Sequence, residues 1–171
     1  MATKMISNIS SRVGPDRLGI TRSGNYNYTP RDANEKFISI RLLCSTTNST
    51  LLTAAHDYYE TGDYVTVGTD TFMYFTVKHL GTTGGGASIA SDSEGVIICL
   101  PDADGSAVTA AYNIPAGIVL APNEVLNLKI YPVALNLISC IKIALTNGVP
   151  SGAGSGDAVD LSVDAIVRDG G

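Results

Sequence analysis

Residues 37–45 read FISIRLLCS, and the fold class turns on this stretch. Ile38, Ile40, Leu42 and Cys44 alternate with Ser39, Arg41, Leu43 and Ser45. Successive side chains leave a strand on opposite sides, so a period of two describes a strand with one dry face and one wet face.

The same period recurs outward along the chain. Met73, Phe75 and Val77 alternate with Tyr74, Thr76 and Lys78, and Leu126, Leu128 and Ile130 with Asn127, Lys129 and Tyr131. Ile141, Ile143 and Leu145 alternate with Cys140, Lys142 and Ala144, which puts Cys140 on the wet register, as Leu43 is in its own strand. Val159, Leu161, Val163 and Ala165 alternate with Asp160, Ser162 and Asp164. Val65 and Val67, the apolar run 96–100, and residues 108–114 and 118–120 are further candidates. Turn-forming groups separate these runs: TGD at 61–63, GTD at 68–70, PDADG at 101–105, IPAG at 114–117 and APNE at 121–124.

Short alternating strands with frequent turn signals mean a sandwich or barrel. Only residues 49–62, STLLTAAHDYYETG, offer a helix or two turns, with Ser49 or Thr50 as cap and Gly62 as stop. The predicted fold is therefore all-β: an antiparallel β-sandwich, jelly-roll-like, spanning residues 36–171. An immunoglobulin-like sandwich is the runner-up, but its Cys…Trp…Cys signature needs a Trp and the chain has none. Two Gly/Ser-rich segments, 81–95 and 147–158, read as flexible loops.

The leader differs in kind. Residues 10–36, SSRVGPDRLGITRSGNYNYTPRDANEK, contain Val13, Leu18 and Ile20 as their only large aliphatic residues. Residues 1–36 hold six cations against three acids, a balance of +3; the other 135 residues hold five against thirteen, a balance of −8. Such asymmetry predicts an extended basic N-terminal arm, residues 1–35, that docks on an acidic surface. The candidate partner-binding residues are Arg12, Arg17, Arg22 and Arg31, with Tyr26 and Tyr28 as anchors. Asp160 and Asp164, on one strand face, are either solvated or the acceptors of an arm's arginines.

Spaced cations interrupted by acids, on an acidic body, argue against a nucleic-acid partner. No apolar run reaches membrane-spanning length and the first ten residues lack a signal-peptide core, so the expectation is synthesis in a cytoplasm and no membrane partner. Cys44, Cys99 and Cys140 sit in apolar runs and read as buried thiols.

His56 and His79 have no nucleophile motif around them, so no enzymatic activity is expected and His79, on the inward register, reads as a core or interface residue. No cofactor or metal is expected. DADGS, residues 102–106, shares a fragment with calcium loops, but residue 113, where that motif needs a bidentate Glu, is Asn, and a tight turn is the better reading. Tyr58, Tyr59, Tyr64 and Tyr74 offer either a sugar-stacking platform or an interface.

A small sandwich with a basic arm, long Gly/Ser loops and the run IPAGIVLAPNEVLNLKIYP (114–132) resembles the decoration, or cement, proteins of tailed-phage capsids, and more loosely other jelly-roll virion components. The resemblance is architectural and transfers no individual residue. It implies a homo-oligomer, commonly a trimer, on the virion surface, whose arms bind the major capsid protein and clamp neighbouring subunits by avidity. The competing expectation is a carbohydrate- or receptor-binding module of a fibre or adhesin; a small enzyme ranks third.

Overall fold

The computed structural model describes the backbone of residues 5–13 and 20–28, and residues 34–58, 64–90, 93–102, 104–113 and 117–170 in full except for the Tyr131 side chain. The strands are β1 (Met5–Val13), β2 (Ile20–Tyr28), β3 (Glu35–Cys44), β4 (Ser49–Thr50), β5 (Thr71–Thr83) and β6 (Glu94–Cys99). They continue as β7 (Ile118–Leu120), β8 (Val125–Ala134), β9 (Ser139–Thr146), β10 (Val149–Ala153) and β11 (Val159–Arg168). A single 3-10 turn, Leu135–Leu137, links β8 to β9.

One sheet has the order β3-β11-β5-β8; the other has β10-β9-β6-β7, with β4 also bonded to β9. All of these pairings are antiparallel. Within the body the pairs nest: β3 with β11, β4 with β9, β5 with β8, β6 with β7. Nested pairing is what a long hairpin gives when it is rolled into two layers, so the sandwich has jelly-roll topology. β10 is an addition to that plan. It returns along β9 through an Asn147-Gly148 turn with φ of 52° and 74°, the left-handed pair that a tight hairpin requires.

The core lies between the sheets. From β3 come Ile38 and Cys44; from β11, Val159, Leu161, Val163, Ala165 and Val167; from β5, Phe72, Phe75 and Val77. The second sheet contributes Val96, Ile98, Leu120 and Cys140, and Leu51, Leu52, Leu135 and Ile138 close the rim.

Four strand readings change. In β5 the register slips between Phe72 and Tyr74, so Phe72 joins the core while Met73 and Tyr74 lie with Phe37 and Ile166 in a separate apolar cluster. In β9 the faces are the reverse of the expectation. Cys140 faces the core, whereas Ile141, Ile143 and Leu145 pack outward with Ile97, Cys99, Val108 and Ala110. The segment 106–111 covers that outer face, anchored by Ala110 N–H donating to Asn48 Oδ1 (2.9 Å) and Ser139 Oγ donating to Val108 O (2.6 Å). Among the described residues, 108–113 and Val65–Val67 are not strands, and the described part of the helix candidate, 49–58, yields β4, turns and a bridge from Asp57 to Tyr64. Segment 147–158 is half strand, since it contains β10.

A buried carboxylate fixes the corner where these turns meet. Asp70 accepts from Tyr58 Oη (2.5 Å), Thr66 N–H (2.7 Å) and Gly170 N–H (3.0 Å), while its own carbonyl accepts from Leu135 N–H (3.1 Å). Four distant stretches thus share one residue. Removing the carboxylate strands the buried Tyr58 hydroxyl and leaves two part-buried backbone donors without their acceptor, and an unsatisfied buried donor costs roughly 1–3 kcal/mol. The Asp70→Ala variant is expected to lose about 3 kcal/mol or more of unfolding free energy in a denaturant titration, and Asp70→Asn less.

Candidate functional site

Along its described length the leader is extended chain folded back on itself. Its backbone forms an antiparallel hairpin, with Met5 opposite Tyr28 and Val13 opposite Ile20, and this two-stranded sheet is separate from both sheets of the body. Arg12 lies opposite Thr21, Arg22 opposite Ser11, Tyr26 opposite Ser7 and Tyr28 opposite Met5. Arg17 and Arg31 lie outside the described residues. By the alternation of a strand, Arg22, Tyr26 and Tyr28 take register positions on one face of the ribbon, together with Met5, Ile9, Val13 and Ile20; Arg12 takes the other. Four of the six candidate residues are thereby brought into one element.

The body's acidic face is engaged locally. Asp160 receives Arg41 from the adjacent β3 in a two-pronged pair (Nε to Oδ1 2.9 Å, Nη2 to Oδ2) and the Thr82 hydroxyl at 3.0 Å. The Arg41 hydrogen bonds hold the Asp160 carboxyl below the usual carboxylate range against the opposing effect of burial. Asp164 accepts from Ser39 Oγ at 2.6 Å. Glu35 pairs with Arg168 (3.2 Å) and Lys36 with Asp169 (2.6 Å), tying the start of β3 to the end of β11. The arginine acceptor at Asp160 is thus filled from the sandwich itself.

A second polar group closes one end of the core. Lys142 is buried, its Nζ donating to the carbonyls of Ser155 and Asp157 (both 2.6 Å) and pairing with Glu94 Oε2 at 3.0 Å. The Gly/Ser segment following β10 is therefore clasped. Gly154 makes the clasp possible, because a Cβ there would lie 2.7 Å from the Lys142 carbonyl oxygen.

His79, fully buried on the inward register of β5 as its sequence suggested, accepts from Gly81 N–H at Nδ1 (3.0 Å). Its backbone binds the turn 121–124 through Glu124 O and Asn123 N–H, each at 3.0 Å. With Nδ1 an acceptor, the neutral ring carries its proton on Nε2, which is buried and meets no partner among the described residues. Burial pushes the His79 pKa down, helped by Lys142 and opposed by Glu94, Glu124 and Asp160.

The three described members of the tyrosine quartet do not make a platform. Tyr58 and Tyr74 are buried, Tyr64 is 60% exposed, and Tyr59 lies outside the described residues. Asp104 turns back to accept from Ser106 N–H (2.9 Å), and Gly105 N–H donates to Asp102 O (2.8 Å), so the described residues of DADGS form a tight turn with Gly105 at φ 84°. Cys44, Cys99 and Cys140 are all buried free thiols. Lys142, the clasp and the inward Cys140 escaped the sequence reading, because a lysine and a cysteine in alternation with isoleucines suggest a wet face. Comparison with protein-family models, with curated proteins and with solved structures returns no match.

The histidine gives a pH dependence with a definite sign. Its folded pKa is lowered, so the unfolded chain binds the extra proton first as pH falls, and stability decreases. The contribution is complete above the unfolded pKa, about 6.5, and drains away below it towards the folded value. Unfolding free energy measured from pH 8 downward should fall below pH ~6.5, with a slope from this group no steeper than about 1.4 kcal/mol per pH unit. In His79→Asn, whose Oδ1 can still accept from Gly81, that component should vanish.

Proposed function

We propose that the chain is a structural virion component. Its jelly-roll body sits as a homo-oligomer on the exterior of a capsid, and its N-terminal segment clamps neighbouring subunits of the major capsid protein. The observation that carries this reading is the segregation of Met5–Tyr28: it pairs with itself and adds no strand to either sandwich sheet. An element built apart from the core, preceding a body with its own closed topology, suits contact with another surface.

Charge agrees with this division. The leader carries the basic excess and the body the acidic one. The face of the ribbon shared by Met5, Ile9, Val13, Ile20, Tyr26 and Tyr28 supplies apolar and amphipathic positions for burial, with Arg22 among them to pair with an acidic surface. Repetition of such a modest contact in an oligomer multiplies its strength, since each further arm binds at high effective concentration.

A variant lacking residues 1–33 keeps β3 and its ties Glu35–Arg168 and Lys36–Asp169. It is expected to retain the β-sheet circular dichroism of the body while losing the co-sedimentation with capsid shells that is expected of the full chain. Native mass should report a discrete oligomer for the full chain. Undiminished docking by the truncated protein would refute the clamp, and a full chain that stays monomeric at micromolar concentration would refute the avidity.

A further inference from the structure

Each of the two sheets turns one thiol into the core between them. Cys44 ends β3 in the first sheet, and Cys140 lies in β9 of the second. Both are fully buried and belong to the same inter-sheet cluster. The backbone between them is held tightly. Ser45 O accepts from Lys142 N–H at 2.8 Å, and Ser49 is the ladder partner of Cys140, with its hydroxyl 3.6 Å from the Cys140 sulfur.

We propose that Cys44 and Cys140 are a cross-sheet redox pair: a dithiol in the chain as folded, closed by exchange with a small-molecule disulfide into a covalent staple between the two layers. The inference is independent of the capsid reading.

Cys99 is excluded from the pair by its face. It lies opposite Ser139 on the outer side of the second sheet, packed with Ile97 and Ala110, whereas Cys140 points into the core. The pairing is thus singular although the chain holds three thiols.

The order of events follows from the surroundings. The neighbouring Cys140 thiol pushes Cys44 up, while Cys44, with the Ser49 hydroxyl beside it, draws Cys140 down against the effect of burial, so Cys140 is the better thiolate. Access to it passes by way of β4, which is held to β9 at only two ladder positions, Ser49 with Cys140 and Thr50 with Ser139. A short ladder opens locally at low cost. Cys140 Sγ, as thiolate, then attacks one sulfur of the reagent; the other half departs as a thiolate and takes up the proton that Cys140 lost. Cys44 gives up its proton in turn and attacks Cys140 Sγ, and the second small thiol leaves. Two electrons pass from the protein to the reagent, which ends as two thiols.

The staple would join residues separated by a loop on the order of 100 residues, the range in which a cross-link restricts the unfolded chain most. A chain folded under reducing conditions and later moved to an oxidising medium would thus be locked only after it had reached its final shape.

The test uses the full chain, prepared reduced and incubated folded with excess oxidised glutathione at pH 8. Mass mapping without reduction should find one intramolecular link, Cys44 to Cys140, with Cys99 still titratable. Tm should rise by roughly 10 °C and return on addition of dithiothreitol. Cys99→Ala should behave identically, while Cys44→Ser and Cys140→Ser should show no rise. Three thiols still titratable after oxidation, a persistent glutathione adduct without closure, a link through Cys99 or between chains, or a link that lowers Tm would each overturn the proposal.

Discussion

Strand β11 lies between β3 and β5, and hydrogen bonds along both of its edges hold the first sheet together. Without it, that sheet would separate into β3 on one side and the β5–β8 pair on the other. Its inward residues Val159, Leu161, Val163 and Ala165 are fully buried, so the same strand also supplies the middle of the core. Its outward residues Asp160, Asp164 and Arg168 each bond to β3, making register as well as burial depend on the pairing. A slip of one residue would turn every valine towards solvent and every aspartate inward. Because β11 must find a strand more than 100 residues away in sequence, the fold is dominated by non-local contacts, which slow the search for the native state.

Apolar packing fills the middle of the sandwich, but buried polar groups define its ends. Asp70 gathers the turn before β5, the β8–β9 corner and the C-terminal backbone at one place. Lys142 gathers Glu94 and the segment after β10 at another. Such groups carry a desolvation cost that only specific partners offset, so they tolerate few alternative arrangements. They convert irregular segments into fixed ones. The Gly/Ser segment that composition alone describes as a flexible loop owes its placement to one ammonium group and one close approach at Gly154.

The sandwich was legible wherever one face of a strand is wet. In β3 and β11 the alternation of Ile38, Ile40 and Leu42, and of Val159, Leu161 and Val163, names the dry face correctly. It failed in β9, where both faces are covered. There Ile141, Ile143 and Leu145 lie under the segment 106–111, so hydrophobicity no longer distinguishes core from exterior. It failed for Met73 because a register slip in β5 cannot be read from residue types. Asp70 and Lys142 were missed for a related reason: a charged residue in a turn or strand ordinarily marks solvent, and only the distant donors or acceptors that satisfy it reveal otherwise. The hairpin of the leader was hidden by its Ser, Asn and Gly, which carry little strand preference individually.

The margins of the sheets have a bearing on recognition. β7 has three residues and β4 two; β10 is broken by a register shift beside Pro150; β8 contains Pro132. Proline cannot donate to a ladder, and a short or bulged strand offers little length along which to add another. Unlike β3, a ten-residue edge that pairs with β11 alone among the described strands, these four stretches resist fusion with a foreign strand. Any molecule that meets the body there must be read through side chains and turn backbones, a mode in which shape and charge decide specificity and indiscriminate sheet extension is suppressed.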